Sequence, residues 1–130
     1  MGAWGTASFD NDDASDWVYE LERRGVAAID GALAEALRAT DLEVPTDVNV
    51  IAAGEVIAAS LGRPAASLPD DVLDLASGLS ASITAEHARR ARTAAERVLE
   101  ASEVAELWAE SDDDAEWRAT IQDLIGRLAT

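Results

Sequence analysis

Thr46-Asp47-Val48-Asn49-Val50-Ile51-Ala52-Ala53-Gly54-Glu55-Val56-Ile57-Ala58-Ala59-Ser60-Leu61 is the run on which the architecture turns. Its apolar residues do not alternate, as a half-buried strand requires, nor do they keep to one helical stripe. Val48, Val50, Ile51, Val56, Ile57 and Leu61 point in every direction around a helix. A helix without a polar face belongs at the centre of a bundle. Thr46 or Asp47 is placed to cap it, and Gly62 and Pro64 stop it.

Outward from this run, each flanking segment reads as an amphipathic helix. Asn11 caps the first, with Asp12 and Asp13 where the helix dipole favours negative charge. Ala14, Trp17, Val18 and Leu21 share one face of it, and Gly25 suits its end. A second helix carries Val26, Ile29, Leu33, Ala36 and Leu37. Leu42 to Pro45 is an extended connector, because the residue before proline avoids the helical region. Pro69 opens a short fourth helix with Val72, Leu73, Leu75 and Ala76, and Gly78 to Ser82 is a linker. Thr84 caps a long fifth helix whose inner stripe is Ala88, Ala91, Ala95, Val98 and Leu99. Val104, Leu107 and Trp108 continue helically beyond a kink near Ser102. Asp113 and Glu116 have capping-box spacing ahead of a last helix that buries Trp117, Ile121, Leu124, Ile125 and Leu128. Residues 1–10 differ: small, glycine-broken, with two large aromatics, Trp4 and Phe9. The expectation is an all-α, single-domain bundle of five to seven helices over residues 1–130, with the N-terminal coil folded back as a hydrophobic plug.

The 130 residues suffice for one core. The absence of cysteine excludes disulfides, thiol nucleophiles and cysteine-ligated metals. A single histidine excludes a histidine-rich metal site. No apolar run reaches the ~18 residues of a membrane span, and no basic-then-apolar leader opens the chain, so a cytoplasmic location is expected. The net charge is −16, from 26 acidic residues against 10 arginines. Such a chain repels phosphate backbones and anionic lipid, so neither nucleic acid nor membrane is an expected partner. The acidity reads as a solubility composition or as a face for a basic protein. Its distribution favours keeping the second in view: six acids and no base from Asp10 to Glu22, eight acids and no base from Glu100 to Glu116.

The opening, with Trp4-Gly5, Phe9, Asn11-Asp12 and Asp16-Trp17, resembles that of a bacterial family, domain of unknown function 4259. Leu42 to Pro45, Ala52 to Leu61 around Glu55, and Ser102 to Trp108 with Trp117 beyond are similar too. The resemblance implies a small bacterial protein and no assigned activity.

Four features stand out as candidate chemistry. Asp10, Asp12, Asp13 and Asp16 offer hard oxygen ligands, but without the glycine and glutamate of a helix-loop-helix calcium site; helix capping with a solvated first turn is the first reading, and a weak calcium or magnesium site is the alternative. Asp16 is placed to bond amides of the Trp4–Thr6 coil. Glu55 interrupts the apolar helix, and a buried carboxylate requires a partner; Arg89 or Arg90 of the fifth helix is the first expectation, with Arg92 close by. His87 reads as a solvated surface histidine in a first helical turn. Glu55, His87, Arg89 and Arg90 form the candidate ligand site. The chain lacks a convergent nucleophile, base and oxyanion set and calls for no cofactor. An interaction module, immunity- or antitoxin-like and directed at a basic partner, therefore ranks ahead of an enzyme or small-molecule binder using Glu55, His87 and nearby arginines. Oligomeric state is left open.

Overall fold

The computed structural model describes residues 5–129. Among these, seven α-helices account for the regular structure: α1 (Asp12–Arg24), α2 (Val26–Arg38), α3 (Thr46–Ser60), α4 (Asp70–Leu79), α5 (Ala85–Glu100), α6 (Glu103–Ala109) and α7 (Asp114–Leu128), with a 3₁₀ turn at Ser80–Ser82. The all-α bundle expected from the sequence is what forms. No helix among the described residues is long and apolar enough to cross a membrane.

α3 is the axis. Every residue from Val50 to Ala59 is buried, and α2, α4, α5 and α7 pack around it. α5 turns Ala88, Ala91, Ala94, Ala95 and Val98 inward, small side chains that let it approach closely. α7 approaches α3 at Gly54, where an added Cβ would stand 3.2 Å from Leu124 Cδ2. Gly25 makes the corner between α1 and α2 at φ +60°, a conformation that disfavours a side chain.

The helix ends are closed by specific groups. Asn11 Oδ1 accepts from Ala14 N (2.8 Å), the cap expected from the sequence. The expected kink near Ser102 is a full break. There α6 begins with its first three amides each bonded by a different acceptor: Glu103 N by the Leu42 carbonyl (2.8 Å), Val104 N by Asp47 Oδ2 (2.9 Å) and Ala105 N by Ser102 Oγ (3.1 Å). Glu103 Oε1 in turn accepts from Val44 N (2.9 Å). The 42–47 connector and the α5–α6 junction are thus clamped together.

Two capping expectations need correction. α3 starts after Pro45 without a side-chain cap; Asp47 lies within its first turn, Oδ1 accepting from Val48 N (2.7 Å) and Oδ2 reaching across to Val104 N of α6. The Asp113/Glu116 box does not form; Glu116 Oε2 instead accepts from Thr6 Oγ1 at 2.6 Å. Leu107 is 56% exposed.

Candidate functional site

Trp4 lies outside the described residues, so its role in the plug is not part of this geometry. The segment that follows it does fold back. Residues 5–8 cover α3, α6 and α7 next to Trp108 and Trp117, whose rings stack with centroids 6.4 Å apart and 11° between planes. Phe9 and Trp17 pack into the core. Hydroxyls also pin the segment: Thr6 to Glu116, and Ser8 Oγ to Glu55 Oε2 at 2.7 Å. The local brace is Asp10, not Asp16. Its side chain accepts from Ala7 N (3.2 Å) and its carbonyl from Gly5 N (2.9 Å). Asp16 is exposed on α1.

Glu55 is 1% exposed and is paired with an arginine, but with Arg127 of α7 rather than Arg89 or Arg90. Arg127 Nη1 lies 3.0 Å from Oε1 and Nη2 donates to Oε2 at 3.3 Å. The guanidinium also reaches Asp123 Oδ2 through Nε (2.8 Å) and the Arg63 carbonyl through Nη1 (3.1 Å). Arg63 donates back to the Arg127 and Ala129 carbonyls. Burial works against the Arg127 charge, yet bonding to Glu55 and Asp123 outweighs it and lifts the pKa above the ordinary arginine value. Arg89 instead pairs with Glu86, and Arg92 with Glu96 at 3.6 Å, on the outer face of α5; Arg90 is half-buried there.

His87 is not a solvated surface residue. Its Nδ1 accepts from Thr84 N (3.1 Å), completing the α5 capping box, and Nε2 meets Asp30 Oδ1 of α2 at 2.9 Å. A neutral ring protonated on Nε2 satisfies both bonds. The residue staples α2 to α5 and does not line the Glu55 cleft. The candidate set Glu55, His87, Arg89 and Arg90 is therefore not one site.

Nor do Asp10, Asp12, Asp13 and Asp16 converge. Among the described residues no group of three His, Asp or Glu could hold a metal ion, since Asp10 precedes the helix and folds back while the others lie on α1.

What the structure assembles is a cleft of about 580 Å³ between the N-terminal segment, the α3–α4 loop and α7. Glu55 and Arg127 lie in it; Asp10, Glu116 and Asp123 border it. The sequence reading found Glu55 and missed Arg127. The available signal was the position of Arg127 beside the buried stripe of Leu124 and Leu128. A second acidic hollow, about 470 Å³, lies between the α2–α3 connector and the α5–α6 junction; Asp41, Glu43, Glu100, Glu103 and Glu106 line it.

Asp47, in the first turn of α3, is a carboxyl whose pKa departs from its ordinary value. It is fully buried, and desolvation pushes its pKa up to about 6 from 3.8, against amide bonds from Val104 and Val48 that pull it down; Glu103 adds to the rise.

Fold and site together define a small all-α protein with an ion-paired, acid-bordered cleft. The chain matches the family model described as Domain of unknown function (DUF4259) over residues 2–120, and it belongs to that family. No curated protein and no solved structure matches it.

Proposed function

We propose that the protein is an interaction module, immunity- or antitoxin-like, that engages a basic protein partner in a bacterial cytoplasm. The observation that carries this reading is the groove beside α6. Five carboxylates line it, and its one guanidinium, Arg97, is already bonded to the Ala36 and Ala39 carbonyls at 2.6 and 2.9 Å. The C-terminal end of α5 opens onto the same groove at Glu100 and Ala101, adding the negative end of a helix dipole. Leu107, next to Glu106 on α6 and more than half exposed, supplies an apolar contact of the kind interface centres use.

A photo-crosslinking residue at position 107 tests this by capturing the partner, whose affinity is then measured at low and high salt. Binding that weakens by about tenfold or more between ~50 and ~500 mM salt, and in a Glu103→Gln/Glu106→Gln variant, is the expected result. A partner that binds equally at both salt levels, or one that is itself acidic, overturns the reading.

A further inference from the structure

Asp47 is a buried ionisable group that lines neither hollow, and it joins three segments. Its amide donates to the Glu43 carbonyl of the connector (3.1 Å). Oδ1 accepts from Val48 N in α3 (2.7 Å) and Oδ2 from Val104 N in α6 (2.9 Å). The bond to Val104 ties the start of one helix to the start of the other. α6 has little else to hold it. It is seven residues long and buries Val104 and Trp108; Glu103 adds the bonds to Leu42 and Val44 of the connector. An element with so few buried apolar contacts opens at lower cost than the whole fold.

The carboxyl is buried completely, and among the described residues no guanidinium pairs with it. Glu103 of α6 is the charged group that bears on it, and its sign is the same. Glu43, Arg97, Glu100 and Glu106 stand in the adjoining groove, and none of their side chains bonds it. Arg97 is committed to the Ala36 and Ala39 carbonyls. Around Val48 and Val104 stand Trp108, Trp117, Ile121 and residues 5–8, none of them ionisable. A negative charge on Asp47 is met by two amides alone, and burial outweighs them. Water relieves that cost, and release of α6 is the least costly way to admit it.

We propose that Asp47 is a pH-operated latch on α6: protonated, it holds the helix against α3 and the connector; ionised, it favours a state in which α6 is released and water reaches the carboxylate. The connector and the α5–α6 junction are the two walls of the acidic groove, so release reshapes that groove. The latch belongs to the free chain and is independent of what the groove takes. Its sign follows from the tighter proton binding of the closed form, at about 6 against 3.8. Closure is favoured most below pH 3.8, weakens as pH rises toward 6 and levels off above it.

Native-state hydrogen exchange of the full chain tests this. Amides 103–106 are read against Val56, at the centre of α3, with each rate corrected for intrinsic exchange. The opening constant of 103–106 is expected to exceed that of Val56 by about tenfold or more, as local opening requires. It should also rise by at least about tenfold between pH ~4 and ~6.5, then level. Asp47→Asn flattens that rise whatever it does to the absolute constant, because its side chain has one oxygen and no titration. Glu103→Gln keeps an oxygen for Val44 N and removes the neighbouring charge, so its plateau begins at a lower pH. Exchange of 103–106 at the Val56 opening constant at every pH overturns the proposal, since α6 would then open only with the whole fold. A rise that persists undiminished in Asp47→Asn overturns it too. Where that variant does not fold, an unmoved plateau in Glu103→Gln does the same. These outcomes are read on the free protein and leave the crosslinking test of a basic partner untouched.

Discussion

Glu55 and Arg127 form a pair whose side chains are 2% and 15% exposed. Breaking such a pair leaves a charge without its partner, at a cost of about 3–5 kcal/mol. Glu55→Ala and Arg127→Ala are each expected to lose about that much in urea denaturation, and the double variant much less than the sum. Glu100→Ala, at an outward position, should change stability by no more than about 0.5 kcal/mol. Equal losses at Glu55 and Glu100 would contradict the buried pairing. Asp47 gives a pH prediction. Its carboxyl binds a proton more tightly folded, at about 6, than unfolded, near 3.8. Its contribution to stability is therefore fully present below pH 3.8 and is lost as pH rises through 6. The interval corresponds to roughly 3 kcal/mol. Asp47→Asn removes this component, so the stability difference between wild type and variant should move by about that amount between pH 7 and 4. A difference that stays flat across this range would refute the assignment.

At the scale of the element, the meeting of α3 and α7 depends on Gly54. Gly54→Val forces a branched side chain against Leu124 and should cost about 1–3 kcal/mol. Gly31, on the exposed face of α2, has nothing within 4 Å of an added Cβ; Gly31→Ala should stabilise by up to about 1 kcal/mol through helix propensity. Thermal melts of the two variants moving in the same direction would contradict this contrast. The same contact explains what was legible in the sequence. Helices and their inward faces could be read because Val50 to Ala59 lack any polar stripe, while Trp17 and Leu21, or Leu124 and Leu128, fall on one. Which helix meets which is not carried by periodicity. The arginines of α5 were the densest group, but that helix turns alanines toward α3, pairs Arg89 and Arg92 with its own glutamates and sends Arg97 to the carbonyls at the end of α2. α7 closes in at Gly54, one residue from Glu55, so Arg127, beside Leu124 and Leu128, makes the pair. Asp47 was hidden for a related reason: a carboxylate before an apolar run looks like a local cap, and one oxygen does bond the adjacent Val48 amide, yet the other bonds an amide 57 residues away.

Across the whole molecule, a net charge of −16 on 130 residues makes the folded state repel itself. Added sodium chloride screens that repulsion. The melting temperature is expected to rise by a few degrees between ~20 and ~500 mM salt, and a fall would mean that ion pairs such as Arg127 with Glu55 outweigh the repulsion. The N-terminal segment ties the molecule's features together. Residues 6–8 form one wall of the cleft, and with their other side they cover the stacked Trp108 and Trp117. Two parallel indoles at this separation exchange excitation energy, so their near-ultraviolet circular dichroism and emission depend on mutual orientation. The protein thus carries a native optical gauge one residue-thickness from its cleft, and occupancy there can be followed by light without any label.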